Sequence, residues 1–138
     1  MMAEPRSTNR VIHPEILLVE QSAMIGSIIV STVRQLGLQS VRLASNSRSA
    51  LLFMENKSFS GVITSLDDEE DALMLIQHLR EGKFRSAADT PVAITTAQCS
   101  TQLANRIKVF NVRRILLKPF KIRDLVSTIE ILASPEVA

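Results

Sequence analysis

Short aliphatic runs alternate with amphipathic stretches along nearly the whole chain, and this alternation narrows its fold more than any other feature. Ile16-Leu17-Leu18-Val19 is followed by Ile25, Ile28, Ile29, Val33 and Leu36. The run is too short for a helix and fits a strand buried on both faces. The following spacing, near 3.6 residues, fits a helix with one apolar side. The unit then recurs. Gln39 to Ala44, with Val41 and Leu43 on one face, precedes Ala50, Leu51, Phe53 and Met54. Gly61-Val62-Ile63-Thr64 precedes Leu73, Leu75, Ile76 and Leu79. Pro91 to Thr95 precedes Leu103, Ile107 and Phe110, and Val112 to Leu117 precedes Ile122, Leu125, Ile129 and Leu132. A strand–helix repeat of this kind predicts a doubly wound α/β domain with helices on both faces of a parallel sheet. The chain has no Trp or Tyr, so the core falls to Ile, Leu and Val, with Met as filler.

Punctuation supports the same division. Ser22 is placed to cap the first helix and Gly37 to end it. Asn46 or Ser47 caps the second helix, and the acidic run Asp67 to Asp71 opens the third, which ends near Gly82. Residues 1–14 read as an N-terminal arm, with Pro14 disfavouring helix at His13. Residues 15–133 read as the domain and 134–138 as a C-terminal tail. The 138 residues are the size of one ordinary domain, and a net charge of +2 excludes a polyelectrolyte role. The lone cysteine, Cys99, excludes an internal disulfide and is expected as a small packed residue after the fourth strand. Met1 to Arg10 lacks the apolar core of a secretory signal, and no apolar run approaches the roughly 20 residues of a membrane span. A cytoplasmic location is the expectation.

In doubly wound sheets, function gathers beyond the carboxyl ends of the strands. The residues at those ends are Glu20-Gln21, Ser65, Thr96 and Lys118-Pro119. With Ile16-Leu17-Leu18-Val19-Glu20-Gln21, Pro91-Val92-Ala93-Ile94-Thr95-Thr96-Ala97 and Leu116-Leu117-Lys118-Pro119-Phe120 in this order, the chain resembles a bacterial response-regulator receiver domain of the chemotaxis-regulator type. The resemblance runs from about Glu15 to Ala133. It implies a flavodoxin-like five-stranded sheet in the order 2-1-3-4-5, a cis Lys118-Pro119 bond, and a place in two-component or phosphorelay signalling.

In that family, two acidic residues after the first strand bind Mg²⁺ and an aspartate ending the third strand accepts phosphate. A Thr or Ser and a Lys contact the phosphoryl oxygens. Carried onto this chain, Glu20, Thr96 and Lys118 match, whereas Gln21 replaces an acidic residue and Ser65 the phosphoacceptor. An aromatic switch residue is replaced by Ile115. Acyl-phosphate chemistry needs a carboxylate nucleophile and a cation to neutralise phosphoryl charge. Ser65 is a protonated hydroxyl with no strand-end histidine to activate it. The expectation is a degenerate receiver that is not an enzyme, holds no cofactor and keeps only a vestigial pocket. Glu20 and Asp67 remain as weak metal candidates, and Lys118 is free to pair with Glu20.

Two surfaces could then carry function. The first helix has no charge between Ser22 and Val33, and Ala23, Gly26, Ser27 and Val30 are read as its outward positions. The resemblance makes this a docking face for a histidine kinase, a phosphotransfer protein or another regulator; a scatter of ordinary surface residues is the plain alternative. Arg106, Arg113 and Arg114, with Lys108, Lys121 and Arg123, lie on the family's output face, where a homodimer is a further arrangement. An acidic partner or an ordinary mixed surface both suit them. No aromatic interleaving supports nucleic acid binding, and no membrane partner is implied. Two other functions stay open. One is a module binding an anionic nucleotide through the basic C-terminal third, and a weaker one is phosphoryl transfer or hydrolysis at Ser65.

Overall fold

The computed structural model describes residues 15–38 and 40–133; the N-terminal arm with Pro14 and His13, Gln39 and the C-terminal tail lie outside the described residues. Strands β1 (Glu15–Val19), β2 (Ser40–Ala44), β3 (Gly61–Ser65), β4 (Val92–Thr96) and β5 (Arg114–Leu117) alternate with helices. The helices are α1 (Ala23–Gln35), α2 (Ser47–Asn56), α3 (Glu69–Arg80), α4 (Thr101–Lys108) and α5 (Ile122–Ala133). The strands form one parallel sheet in the order β2-β1-β3-β4-β5. This is the doubly wound, flavodoxin-like arrangement expected from the sequence.

Alternation along β1 splits the core into two layers. Leu17 and Val19 face α2, α3 and α4, whereas Ile16 and Leu18 face α1 and α5. Successive strand side chains point to opposite faces, and both faces are covered, so β1, β3 and β4 are buried throughout. The caps behave as read: Ser22 Oγ accepts from Ile25 N, and Gly37 takes a left-handed φ of 65°. Asn46 rather than Ser47 caps α2, accepting from Ser49 N at 2.8 Å. Pro91 sits one residue ahead of β4, where its carbonyl accepts from Val62 N at 2.9 Å.

Several burial expectations need correction. Gly26 is not outward: it is buried against β2, where an added Cβ would stand 3.0 Å from Leu43 Cδ1 and Cδ2. Ile28, Leu36 and Ile122, read as core, are exposed. Only Met54 among the described methionines is buried, while Met24 and Met74 lie at the surface. Cys99 is exposed rather than packed. The cause is shared in α1, where apolar residues surround the helix and no charge marks the solvent side, so close approach to Leu43 decides its rotation.

Candidate functional site

Parallel strands bring their carboxyl ends to one edge of the sheet, and three of the four expected groups meet there. Glu20 follows β1 directly; its amide donates to Ala44 O at 3.0 Å, which fixes its backbone. Its Oε2 accepts from Ser22 N at 2.9 Å, just ahead of α1. Its Oε1 accepts from Lys118 Nζ at 2.9 Å. Lys118 follows β5, donates its amide to Thr96 O at 2.8 Å and precedes a cis peptide to Pro119. The same Nζ lies 3.4 Å from Ser65 Oγ and 3.7 Å from Asp67 Oδ2. The ammonium therefore sits among Glu20, Ser65 and Asp67.

Burial sets the character of this cluster. The Glu20 side chain is 1% exposed and that of Lys118 16%. Ser65 is 0% exposed, and its Oγ also accepts from Asp67 N at 3.2 Å. A charge so far from water is tolerated only when it is paired and hydrogen-bonded, and both Glu20 oxygens are. Gln21 turns away and donates to Asp68 Oδ1 at 3.0 Å, leaving its Oε1 buried without a partner. Thr96 stands apart. Its hydroxyl donates to Gln98 O at 2.8 Å rather than meeting Lys118, and it lines a polar cleft of about 790 Å³ with Asp67, Gln98, Ser100 and Arg106. Ile115, at the expected switch position, is on β5 and partly exposed. Among the described residues no group of three or more His, Cys, Asp or Glu is placed to hold a metal ion.

The two expected surfaces differ in outcome. On α1, Ala23 and Ser27 are exposed and Val30 is half-buried. Met24, 72% exposed, and Ile28 join them, and neither was read as outward. Ile25, Ile28 and Ile29 line an apolar groove of about 410 Å³ with Pro119, Phe120 and Ile122. Two of the basic residues are tied within the chain, while Lys108, Lys121 and Arg123 are exposed. Arg106 donates to Glu69 Oε2 at 2.8 Å and to both Glu70 oxygens, at 2.9 and 3.1 Å. The Arg106 hydrogen bonds and charge hold the Glu70 carboxyl below the usual carboxylate range. The acidic run therefore ties α3 to α4, which helical periodicity does not reveal. Arg114 donates to Ser127 Oγ at 3.1 Å, and Arg113 is half-buried.

The amino edge of the sheet carries ties that sequence reading missed. Glu15, which opens β1, is buried; it pairs with Lys57, lies 3.5 Å from Arg42 Nε and accepts from Ser40 Oγ at 3.3 Å. Burial pushes its carboxyl up, but the Lys57 hydrogen bond, the Arg42 and Lys57 charges and Ser40 together hold it below the usual range. Arg80, closing α3, donates to Phe110 O, Ala88 O and Thr90 O at 2.7, 2.8 and 2.7 Å. Only the charged residue types gave any hint of these contacts.

Residues 16–130 match the family model described as the response regulator receiver domain. Similar solved structures include the receiver domain of the Leptospira biflexa protein HemR. It is 21% identical, with 91% of this chain and 98% of that chain covered and a TM-score of 0.77. The Vibrio cholerae chemotaxis protein CheY4 is 20% identical, with 88% and 99% covered and a TM-score of 0.75. The Francisella response regulator 1452 receiver domain is 22% identical, with 86% and 95% covered and a TM-score of 0.73. At these identities the likeness concerns the fold. No match is found among curated proteins. Among the described residues no helix is long and apolar enough to cross a membrane.

Proposed function

Since the chain belongs to the response regulator receiver domain family, whose members serve two-component signalling, we propose that it is a pseudo-receiver acting through protein contacts without aspartate phosphorylation. One observation carries this reading: the Lys118 ammonium is bound to Glu20 Oε1 at 2.9 Å beside a fully buried Ser65 hydroxyl. The cationic group that would meet a phosphoryl oxygen is already neutralised. The position that would attack phosphorus offers a protonated hydroxyl shut away from solvent. Magnesium requires several hard oxygen ligands in near-octahedral order. Here one Glu20 oxygen is bound to the ammonium, the other to Ser22 N, and the Gln21 amide to Asp68. This donor set does not suit the ion. The same burial speaks against hydrolysis at Ser65, and the surface pairing of Arg106 with Glu69 and Glu70 speaks against an anion site at that arginine.

The partner surface is the exposed part of α1 with the groove beside it. α1 carries no acidic residue, and Lys121 and Arg123, the chain neighbours of the groove residue Ile122, are exposed. An apolar groove on a surface without acidic residues on α1 and with exposed lysine and arginine either side of Ile122 suits an amphipathic helix of a kinase or phosphotransfer domain flanked by acidic residues.

Titration with Mg²⁺ and beryllofluoride, followed by amide NMR, tests the pocket. No saturable shift is expected at Glu20, Ser65, Thr96 or Lys118. The Gln21→Asp, Ser65→Asp double variant is expected to gain a magnesium-dependent shift there. Saturable binding by the wild-type chain would overturn the pseudo-receiver reading. Ala23→Arg or Ile28→Arg is expected to weaken binding of a phosphotransfer domain at least about tenfold, some 1.4 kcal/mol, with the fold intact.

A further inference from the structure

Among the described residues β2 pairs with β1 alone, so its other side is a free edge of the sheet. The Glu20 amide donates to Ala44 O, which turns the backbone groups of Ala44, and of Arg42 and Ser40 in step with it, toward β1. By alternation Val41 and Leu43 turn theirs away from the sheet. Edge strands are commonly blunted by shortness, lysine, proline or a bulge. β2 is as long as β1, β3 and β4, contains neither lysine nor proline, and keeps unbroken register with β1 from Ser40 to Ala44. Its one charge, Arg42, is drawn back. It lies 3.5 Å from Glu15 Oε2 and stands over the Phe53 ring, 5.5 Å from the centroid.

A groove runs beside this edge. Gly26 lets α1 approach Leu43 closely. Next to that contact, Ser27, Val30, Ser31 and Arg34 line a groove of about 350 Å³ with Val41 and Leu43. Val30, Val41 and Leu43 are each only half-buried. Arg34 is exposed and, among the described residues, takes part in no ion pair. No acidic residue occurs on α1 or β2. The edge therefore offers outward backbone groups, apolar side chains beside them and a cation without a counter-charge. A second copy of the chain suits it poorly. Antiparallel pairing of β2 with itself sets the arginines of both copies along one seam, and like charges across paired strands are destabilising.

We propose that the β2 edge receives, as an added strand, an extended segment of a partner protein that is apolar at alternate positions and acidic between them. Its backbone pairs with Val41 and Leu43. Its apolar side chains cover Val30, Val41 and Leu43. Its acidic side chains lie on the Arg42 side, and one at the end of the segment reaches Arg34. The site depends neither on the pocket at Lys118 nor on the groove beside Phe120, which is lined by other residues of α1.

Amide NMR and hydrogen exchange of the full chain with acetyl-EVEVEVE-amide test the proposal. Acetyl-KVKVKVK-amide reverses the charge, and acetyl-EGEGEGE-amide removes the apolar side chains. The first peptide is expected to give saturable shifts confined to residues 27–34 and 40–44. At saturation the Val41 and Leu43 amides are expected to exchange at least about tenfold more slowly. Each control peptide is expected to bind at least about tenfold more weakly. Ser31→Glu and Arg34→Glu, both at exposed positions, are each expected to lower affinity at least about tenfold with the fold intact. Ile28→Arg is expected to leave it unchanged. Absence of a saturable shift with acetyl-EVEVEVE-amide would overturn the proposal. So would binding that leaves exchange at Val41 and Leu43 unaltered, equal binding of the lysine peptide, or loss of binding in Ile28→Arg.

Discussion

β1 has a buried glutamate at each end, Glu15 where the strand opens and Glu20 just past its close, and each is met by a lysine distant in sequence. The two are held differently. Glu15 is shared by Lys57 and Arg42, whose side chains are both 45% exposed and can turn to water. Glu20 is held by Lys118, itself mostly buried, and by the Ser22 amide at the entry to α1. The amino edge is thus tied by cations at the rim, while the carboxyl edge encloses its ion pair among Ser65 and Asp67. The same pair of residue types serves as a surface tie in one place and as the centre of a pocket in the other. Depth and neighbours, not residue type, make the difference.

Removing one partner at each end should separate the two cases. Lys118→Met leaves Glu20 buried without its counter-charge and is expected to cost about 3–5 kcal/mol in denaturant unfolding. The Glu20→Gln, Lys118→Met double variant should recover most of that, since a neutral pair strands no charge. A Lys118→Met loss below about 1 kcal/mol would place the pair in effective contact with water and remove the contrast.

A smaller effect comes from pH at the amino edge. The folded Glu15 carboxyl ionises more readily than the unfolded one. Its contribution is therefore full above the ordinary glutamate value, about 4.3, and is lost as pH falls through the lower folded value. The stability gap between wild type and Glu15→Gln should accordingly narrow below about pH 4.3 and stay constant above pH 6 or so. A gap that widens in acid would reverse the assignment. The smallest effect is expected from Lys57→Met, about 0–1 kcal/mol, because the lysine is largely solvated and Arg42 remains beside Glu15.

Much of the fold was legible because its signals are local. The Ile16–Val19 run, the Ser22 and Asn46 caps and the glycines at 37 and 82 mark their elements without reference to anything far away. The rotation of α1 was not legible. Ile25, Ile28, Ile29 and Val30 surround a helix with no charged residue before Arg34, so polarity sets no inward side. Leu43, on the neighbouring strand, decides it by packing on Gly26. Of the strand-end groups, Glu20, Ser65 and Lys118 were read into one cluster and do meet. Thr96 was read with them, but its hydroxyl is taken by the Gln98 carbonyl two residues on. Strand position places a residue at the edge of the sheet; the loop beyond it decides where the side chain points.

The sequence by itself determined the repeating strand–helix units and the residues brought to the carboxyl edge, because hydrophobic period and capping act within a few residues. The tertiary structure alone decided which charges meet. Lys118 lies 98 residues from Glu20, and Arg106 lies 37 and 36 from Glu69 and Glu70. Such pairs form only after packing has set the spacing and rotation of distant elements. That packing reads the shape of apolar side chains, whereas the charges then take whichever partner lies within reach.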